Sequence, residues 1–209
     1  MKSITICHLP RATCRRGQGL LETVVAMSVL LTGIVTLMTL VIVSSIGRRS
    51  SEFQTVAANL AREGIEVAVM KRNDNWIKNN PFDAGLSSGT DYTFVEFFDP
   101  IANSWAFNFT PNDFTSNVTK IYKYTSVSNK GLMVQAASQP VNTVYSGYDR
   151  IIAADLICYD GASETYAASG ATCSGSPGKI GLRITSLVQW QEHNGMHSIS
   201  EVETIYDWR

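Results

Sequence analysis

Apolar side chains crowd into one stretch of this chain and are patterned elsewhere. From Gly19 to Ile46 the only ionisable residue is Glu22, and no proline interrupts the run LLETVVAMSVLLTGIVTLMTLVIVSSI. At ~1.5 Å per residue these 28 residues reach roughly 42 Å as a helix, more than the ~30 Å hydrocarbon core of a bilayer. The run predicts a membrane-inserted helix. From Arg48 to Arg72 the texture becomes amphipathic. Phe53, Val56, Ala57, Leu60, Gly64, Val67 and Ala68 recur at spacings of three and four, with Arg49, Glu52, Arg62, Glu63, Glu66 and Arg72 mostly on other faces. One buried stripe is expected there, and Asn73-Asp74-Asn75 followed by Asn79-Asn80-Pro81 reads as its stop.

From residue 90 the period shortens. TDYTFVEFF, SWAFNF and KIYKYTSV are short, aromatic and β-branched, and are separated by Asn, Pro, Gly and Ser. Near the end, Leu182, Ile184, Ser186, Val188 and Trp190 alternate along one strand. Asn194-Gly195 signals a type I′ turn, and Val202, Thr204, Tyr206 and Trp208 line one face of the return. A long N-terminal helix packed on an antiparallel sheet is an α+β architecture. Neither an internal repeat nor a long linker is visible.

Charge orients the span. Residues 1–17 carry Lys2, Arg11, Arg15 and Arg16 and no acid; the remainder holds 18 acidic against 13 basic residues. A basic flank before the span and an acidic body after it place the leader in the cytoplasm and the body outside. This balance also argues against nucleic-acid binding. A secretory signal peptide needs a shorter apolar region of ~7–15 residues and a small-residue cleavage site. Ile42-Val43-Ser44-Ser45-Ile46 is a poor one, and Cys7 and Cys14 precede the span, where a lipoprotein signal would need a cysteine after it. Cleavage is therefore expected before the apolar segment.

The stretch Arg15-Arg16-Gly17-Gln18-Gly19-Leu20-Leu21-Glu22, leading into a long apolar helix, resembles the N-terminus of type IV prepilins and pseudopilins. Residues 59–76, NLAREGIEVAVMKRNDNW, also look like the post-membrane helix of bacterial minor-pilin-like proteins. The resemblance implies cleavage by prepilin peptidase after Gly17, which makes Gln18 the first mature residue and Glu22 the fifth. It also implies methylation at Gln18, although the family's usual first residue is phenylalanine. The family's glutamate is thought to neutralise the terminal amine of a neighbouring subunit, which assigns Glu22 to subunit docking. Such a pair is far stronger in low dielectric than in water. A carboxylate in the apolar segment usually marks function or a partner. The other reading of Glu22 is a residue lying shallow, at the headgroup level.

Of the four cysteines, two lie in the leader, and Cys158 and Cys173 enclose YDGASETYAASGAT. That loop is poor in apolar residues and cannot hold itself by packing. A disulfide closing ~15 residues would stabilise the fold by about 3 kcal/mol in the chain-entropy model. Two free thiols and a zinc site are the alternatives, the latter disfavoured by the lack of a C-x-x-C. The resemblance implies a counterpart of the disulfide-bounded region many pilins display. His193 and His197 flank the predicted turn, but G-x-S-x-G, H-E-x-x-H and phosphate-cradling motifs are all absent, so neither enzyme activity nor a metal or other cofactor is expected. Asn108-Phe109-Thr110 and Asn117-Val118-Thr119 match the glycosylation sequon, and Lys120, Lys123 and Lys130 form at most a small basic patch.

The expected organisation is a cytoplasmic leader (1–17), a transmembrane and filament-core helix (18–47) and an extracytoplasmic head (48–209). Within the head, the amphipathic helix covers 48–75 and the strands 90–209. The expected protein is a structural subunit, stored in the cytoplasmic membrane and assembled into a cell-surface type IV pilus or related filament. Its partners are prepilin peptidase, other pilin subunits, the assembly or secretion machinery and membrane lipid. The long non-repetitive head and the glutamine start favour a minor subunit. The competing class is a single-pass membrane-anchored binding domain that never polymerises.

Overall fold

The computed structural model describes residues 18–87, 93–99, 103–109, 113–167, 172–173, 178–192 and 195–207. One helix, α1 (Gln18–Ile77), precedes eight strands: β1 (Thr93–Asp99), β2 (Ser104–Asn108), β3 (Lys120–Tyr124), β4 (Met133–Gln135), β5 (Thr143–Tyr159), β6 (Glu164–Ala167), β7 (Gly178–Glu192) and β8 (Gly195–Tyr206). All pairings are antiparallel. A long N-terminal helix on an antiparallel sheet is the expected α+β, pilin-like layout. The chain forms two compact units that meet within α1, one ending at Arg49 and one starting at Ser50.

In the second unit, α1 buries Ala57, Leu60, Gly64, Val67 and Ala68, with Phe53 and Val56 partly covered, as the three–four spacing predicts. Ala61 and Ile65 widen the stripe. Gly64 is the closest approach to the sheet: a Cβ there would lie 2.7 Å from Ser186 Oγ and 3.0 Å from Ile152 Cδ1. The helix ends later than expected. Asn73, Asp74 and Asn75 lie inside it, and Asn79, at φ 57°, turns the chain after Ile77. Asn75 is buried and clasps the following turn, its Nδ2 donating to the carbonyls of Phe82 (3.1 Å) and Ala84 (2.8 Å). That clasp seats Phe82 and Leu86 in the core.

Strand β5 organises the sheet. One edge pairs with β7 from Tyr148↔Trp190 to Tyr159↔Gly178. The other is shared by β3 up to Asp149, β1 at Ile152 and Ala153, and β6 from Leu156 onward. Its helix-facing side chains join two apolar clusters. Tyr148 packs with Ala57, Leu60, Ile121, Val188 and Trp190, while Ile152, Ala154 and Leu156 pack with Ile65, Phe94, Leu182 and Ile184. Between them stands Arg150, 2% exposed. A buried guanidinium has to be satisfied internally. Nε donates to Gln135 Oε1 (3.0 Å) and Nη1 to the Leu60 carbonyl (2.8 Å), and ion pairs reach Glu63 (3.5 Å) and Glu96 (3.3 Å).

The two strands of the terminal hairpin carry their expected alternations on opposite faces of the sheet. The last pair is Glu192↔Gly195, so Gly195 opens β8; of the Asn194-Gly195 turn reading, Asn194 lies outside the described residues, as do His193 and Trp208. The face of β7 read from its alternation is buried, but Val202, Thr204 and Tyr206 pair with Thr185, Arg183 and Gly181. The side of β8 that packs inward runs through Ile199 and Ile205, of which Ile205 is buried and Val202 is exposed. An edge strand pairs on one side only, and two inward carboxylates, Glu201 and Glu203, share that face with the isoleucines.

Candidate functional site

The first unit is an apolar helix with a carboxylate near its start. Gln18 opens α1 in the structure, while Gly17 and the leader lie outside the described residues. Glu22 is exposed, in the second turn of the helix. From Leu20 to Ile46 the large apolar side chains are all exposed, and the most hydrophobic part of the helix has none of its residues buried. Aliphatic surface of this extent, uncovered by the chain's own fold, is long and apolar enough to cross a membrane once.

Six of the seven hydroxyls in this segment are satisfied within the helix. Thr23, Ser28, Thr32, Thr36 and Thr39 each donate to the carbonyl three residues back, and Ser45 to the one four back, at 2.7–2.9 Å. In hydrocarbon an unpaired hydroxyl is costly, and this back-bonding removes that cost without any partner. Glu22 has no such recourse: a carboxylate only accepts, and an intact helix offers it no free donor beyond its first turn. It is the one ionisable side chain of the span, and its charge asks for something from outside.

Cys158 and Cys173 are bonded, with Cα atoms 5.4 Å apart. Cys158 ends the helix-facing row of β5, and Cys173 packs against the same core. The described start of the enclosed segment is held by its own hydrogen bonds and by pairing with β5. Asp160 accepts from the amides of Ala162 and Ser163 (both 2.8 Å), which lowers its carboxyl pKa, and Gly161 takes φ 96°. The chain then returns as β6, where the Arg183 guanidinium lies 4.3 Å from the Tyr166 ring centre.

The remaining candidates do not converge. His197 stacks on Trp190 at 5.7 Å, and Lys120 bonds Asn117 Oδ1 (2.7 Å), a residue of the second sequon; Thr110 of the first lies outside the described residues. Among the described residues no group of three His, Cys, Asp or Glu is placed to hold a metal ion. What sequence reasoning missed is the buried pair of Arg150 and Glu96. Its one signal was a carboxylate between aromatic residues, TFVEFF, at an inward position of a strand. No family model, curated protein or solved structure matches this chain.

Proposed function

We propose that the chain is a prepilin-type structural subunit, cut after Gly17 and assembled through its apolar helix into a type IV pilus or related filament, with a minor position favoured. The observation that carries this reading is the first unit itself: an uncovered apolar helix with six of its seven hydroxyls bonded to its own backbone and a single carboxylate that has no such recourse. Cleavage after Gly17 creates an α-amine at Gln18, four residues from Glu22. Packed among other such helices in low dielectric, the Glu22 carboxylate of one subunit and the amine of the next complete each other. The protein acts by assembly rather than turnover, with prepilin peptidase, fellow subunits and membrane lipid as its partners. Methylation falls on the same nitrogen.

The test combines processing and assembly. Mature protein from membrane or filament fractions should begin at Gln18 by mass spectrometry. Glu22→Ala and Glu22→Gln should insert and be cut normally, yet lower the ratio of sheared filament to membrane protein by tenfold or more, since an uncompensated buried charge costs several kcal/mol and ~1.4 kcal/mol is a factor of ten. A terminus at Met1 favours a permanently anchored, non-polymerising domain. Normal ratios in both variants would remove the docking role from Glu22.

A further inference from the structure

A cavity of ≈ 350 Å³ opens in the head beside Arg150. Its position follows from the sheet. β3 leaves the edge of β5 at Asp149 and β1 joins it at Ile152, so the ladder is interrupted at Arg150. Gln135 Nε2 takes the Arg150 carbonyl there (2.8 Å), which closes the backbone seam and leaves side-chain space above it. Glu96, Phe98, Trp105, Tyr124, Leu132 and the α1 residue Glu63 surround that space. Phe98 and Trp105 meet edge to face at 5.7 Å, and Phe98 and Leu132 remain partly in solvent at the mouth.

The chemistry of the cavity is unbalanced. Glu96 is 0% exposed, and among the described residues neither carboxylate oxygen receives a hydrogen bond. Arg150 does not supply one. Its Nε and Nη1 hydrogens go to Gln135 and Leu60, and Nη2 stands 3.3 Å from Glu96 Oε1 as an ion pair only. One guanidinium faces two carboxylates, Glu96 and Glu63. Among the described residues no donor is aimed at the Glu96 oxygens and carboxylates outnumber the one guanidinium, while the aromatic walls add π faces that attract a cation. An anion would meet two carboxylates; a neutral alkyl group would leave Glu96 unsatisfied.

We propose that this cavity binds an alkylammonium group, its nitrogen on Glu96 and Glu63 and its methylenes against Phe98, Trp105 and Tyr124. The ammonium is either a small free amine or the end of a lysine side chain; the site's demand is the same. This inference is independent of filament assembly. Burial raises the Glu96 carboxyl pKa to about 8, Arg150 opposing and Glu63 adding to the shift. The empty site therefore holds a proton at neutral pH, and loading a cation releases it. Arg150, Glu63 and the Tyr124 hydroxyl are the other charged or titratable groups lining the space.

The experiment uses the full chain in non-ionic detergent and saturation-transfer NMR with n-butylammonium, n-butanol and an acetyl-Gly-Lys-Gly-amide peptide. n-Butylammonium should bind with a dissociation constant on the order of millimolar, fitting its few heavy atoms. Affinity should rise by up to tenfold per pH unit from pH 6 and level off above about 8, and n-butanol should give no saturable signal. Glu96→Gln, which keeps the shape of the protonated acid, should lower affinity roughly tenfold or more. If that variant loses its far-UV spectrum, Leu132→Trp at the exposed mouth provides the same loss by occlusion. A peptide that binds more tightly than the amine identifies a chain-borne lysine as the occupant; an amine that binds alone identifies a small molecule. Equal binding of n-butanol, full affinity in Glu96→Gln or Leu132→Trp, or no binding of either amine overturns the proposal.

Discussion

Gly64 and Ser186 form a contact whose energy can be worked out from geometry. Replacing Gly64 by alanine in an α-helix gains about 1 kcal/mol of intrinsic propensity. Here the new methyl would sit 2.7 Å from Ser186 Oγ and 3.0 Å from Ile152 Cδ1, inside van der Waals contact with both. Overpacking of this kind costs about 1–3 kcal/mol. Gly64→Ala should therefore destabilise the head by about 1 kcal/mol. Ser186 Oγ is buried and has no hydrogen-bond partner among the described residues, so Ser186→Ala removes an unsatisfied hydroxyl and should stabilise by about 1 kcal/mol. It also removes the nearer of the two clashes. The double variant should then exceed the sum of the singles by about 1 kcal/mol and match or surpass wild type. Urea titration of the detergent-solubilised chain, followed by tryptophan fluorescence (Trp76, Trp105 and Trp190 all lie in the head), reads this as a midpoint shift of about 0.5 M. Strict additivity, or a Gly64→Ala protein more stable than wild type, would refute the close approach of helix and strand.

Two further expectations concern charge and covalent closure. The Glu96 carboxyl titrates near 4.5 when exposed and about 8 in the fold, burial being the main cause. Between those values the folded state holds a proton the unfolded chain has lost. The stabilisation is complete below about pH 4.5 and falls by up to ~1.4 kcal/mol per unit until it is lost through pH 8; Glu96→Gln should flatten that part of a urea-midpoint profile, and parallel profiles would remove Glu96 as its source. Cys158→Ser should cost about 3 kcal/mol in the chain-entropy model and loosen β6 while leaving the helical signal of α1 unchanged. Non-reducing tryptic mapping should recover one peptide linked through Cys158 and Cys173, and quantitative alkylation of both thiols without reductant would contradict the bond.

The parts of this molecule that can be read from sequence are those whose cause is local. The apolar span, the three–four stripe of α1 and the alternation of β7 each repeat within a few residues, and the features around Glu22 all lie in one short stretch. β5 shows no such signature. Its core, RIIAADLI, is paired with β7 throughout and with β1 and β6 in part, and keeps side chains such as Ile152 and Ile157 fully buried on opposite faces, so no polar alternation marks it as a strand. β8 carries the β-branched and aromatic alternation read from the sequence, and only the sheet shows that it lies on the outer face, because an edge strand needs little burial to be held by its ladder. The Arg150–Glu96 pair, separated by half the sheet in sequence, exists only once β1 and β5 are neighbours.

The stripe on α1 also has a timetable. Leu60 is followed by 90 residues before Arg150, whose guanidinium takes its carbonyl, and the apolar floor at Val188 and Trp190 comes later still. Ala57 is made about 130 residues before that floor, and at about 5–20 residues per second the interval is on the order of 10 seconds. Through that interval only earlier elements, such as Phe82, Leu86, Ile121 and Tyr148, are available to cover the amphipathic half of the helix. The nascent protein thus spends its synthesis with a second apolar surface waiting, next in sequence to the one that a bilayer would take. Chains that terminate before β7 never complete that cover. A ribosome stalled between residues 160 and 178 should therefore display a protease-sensitive helix, and completion of the last hairpin should close the head in one step.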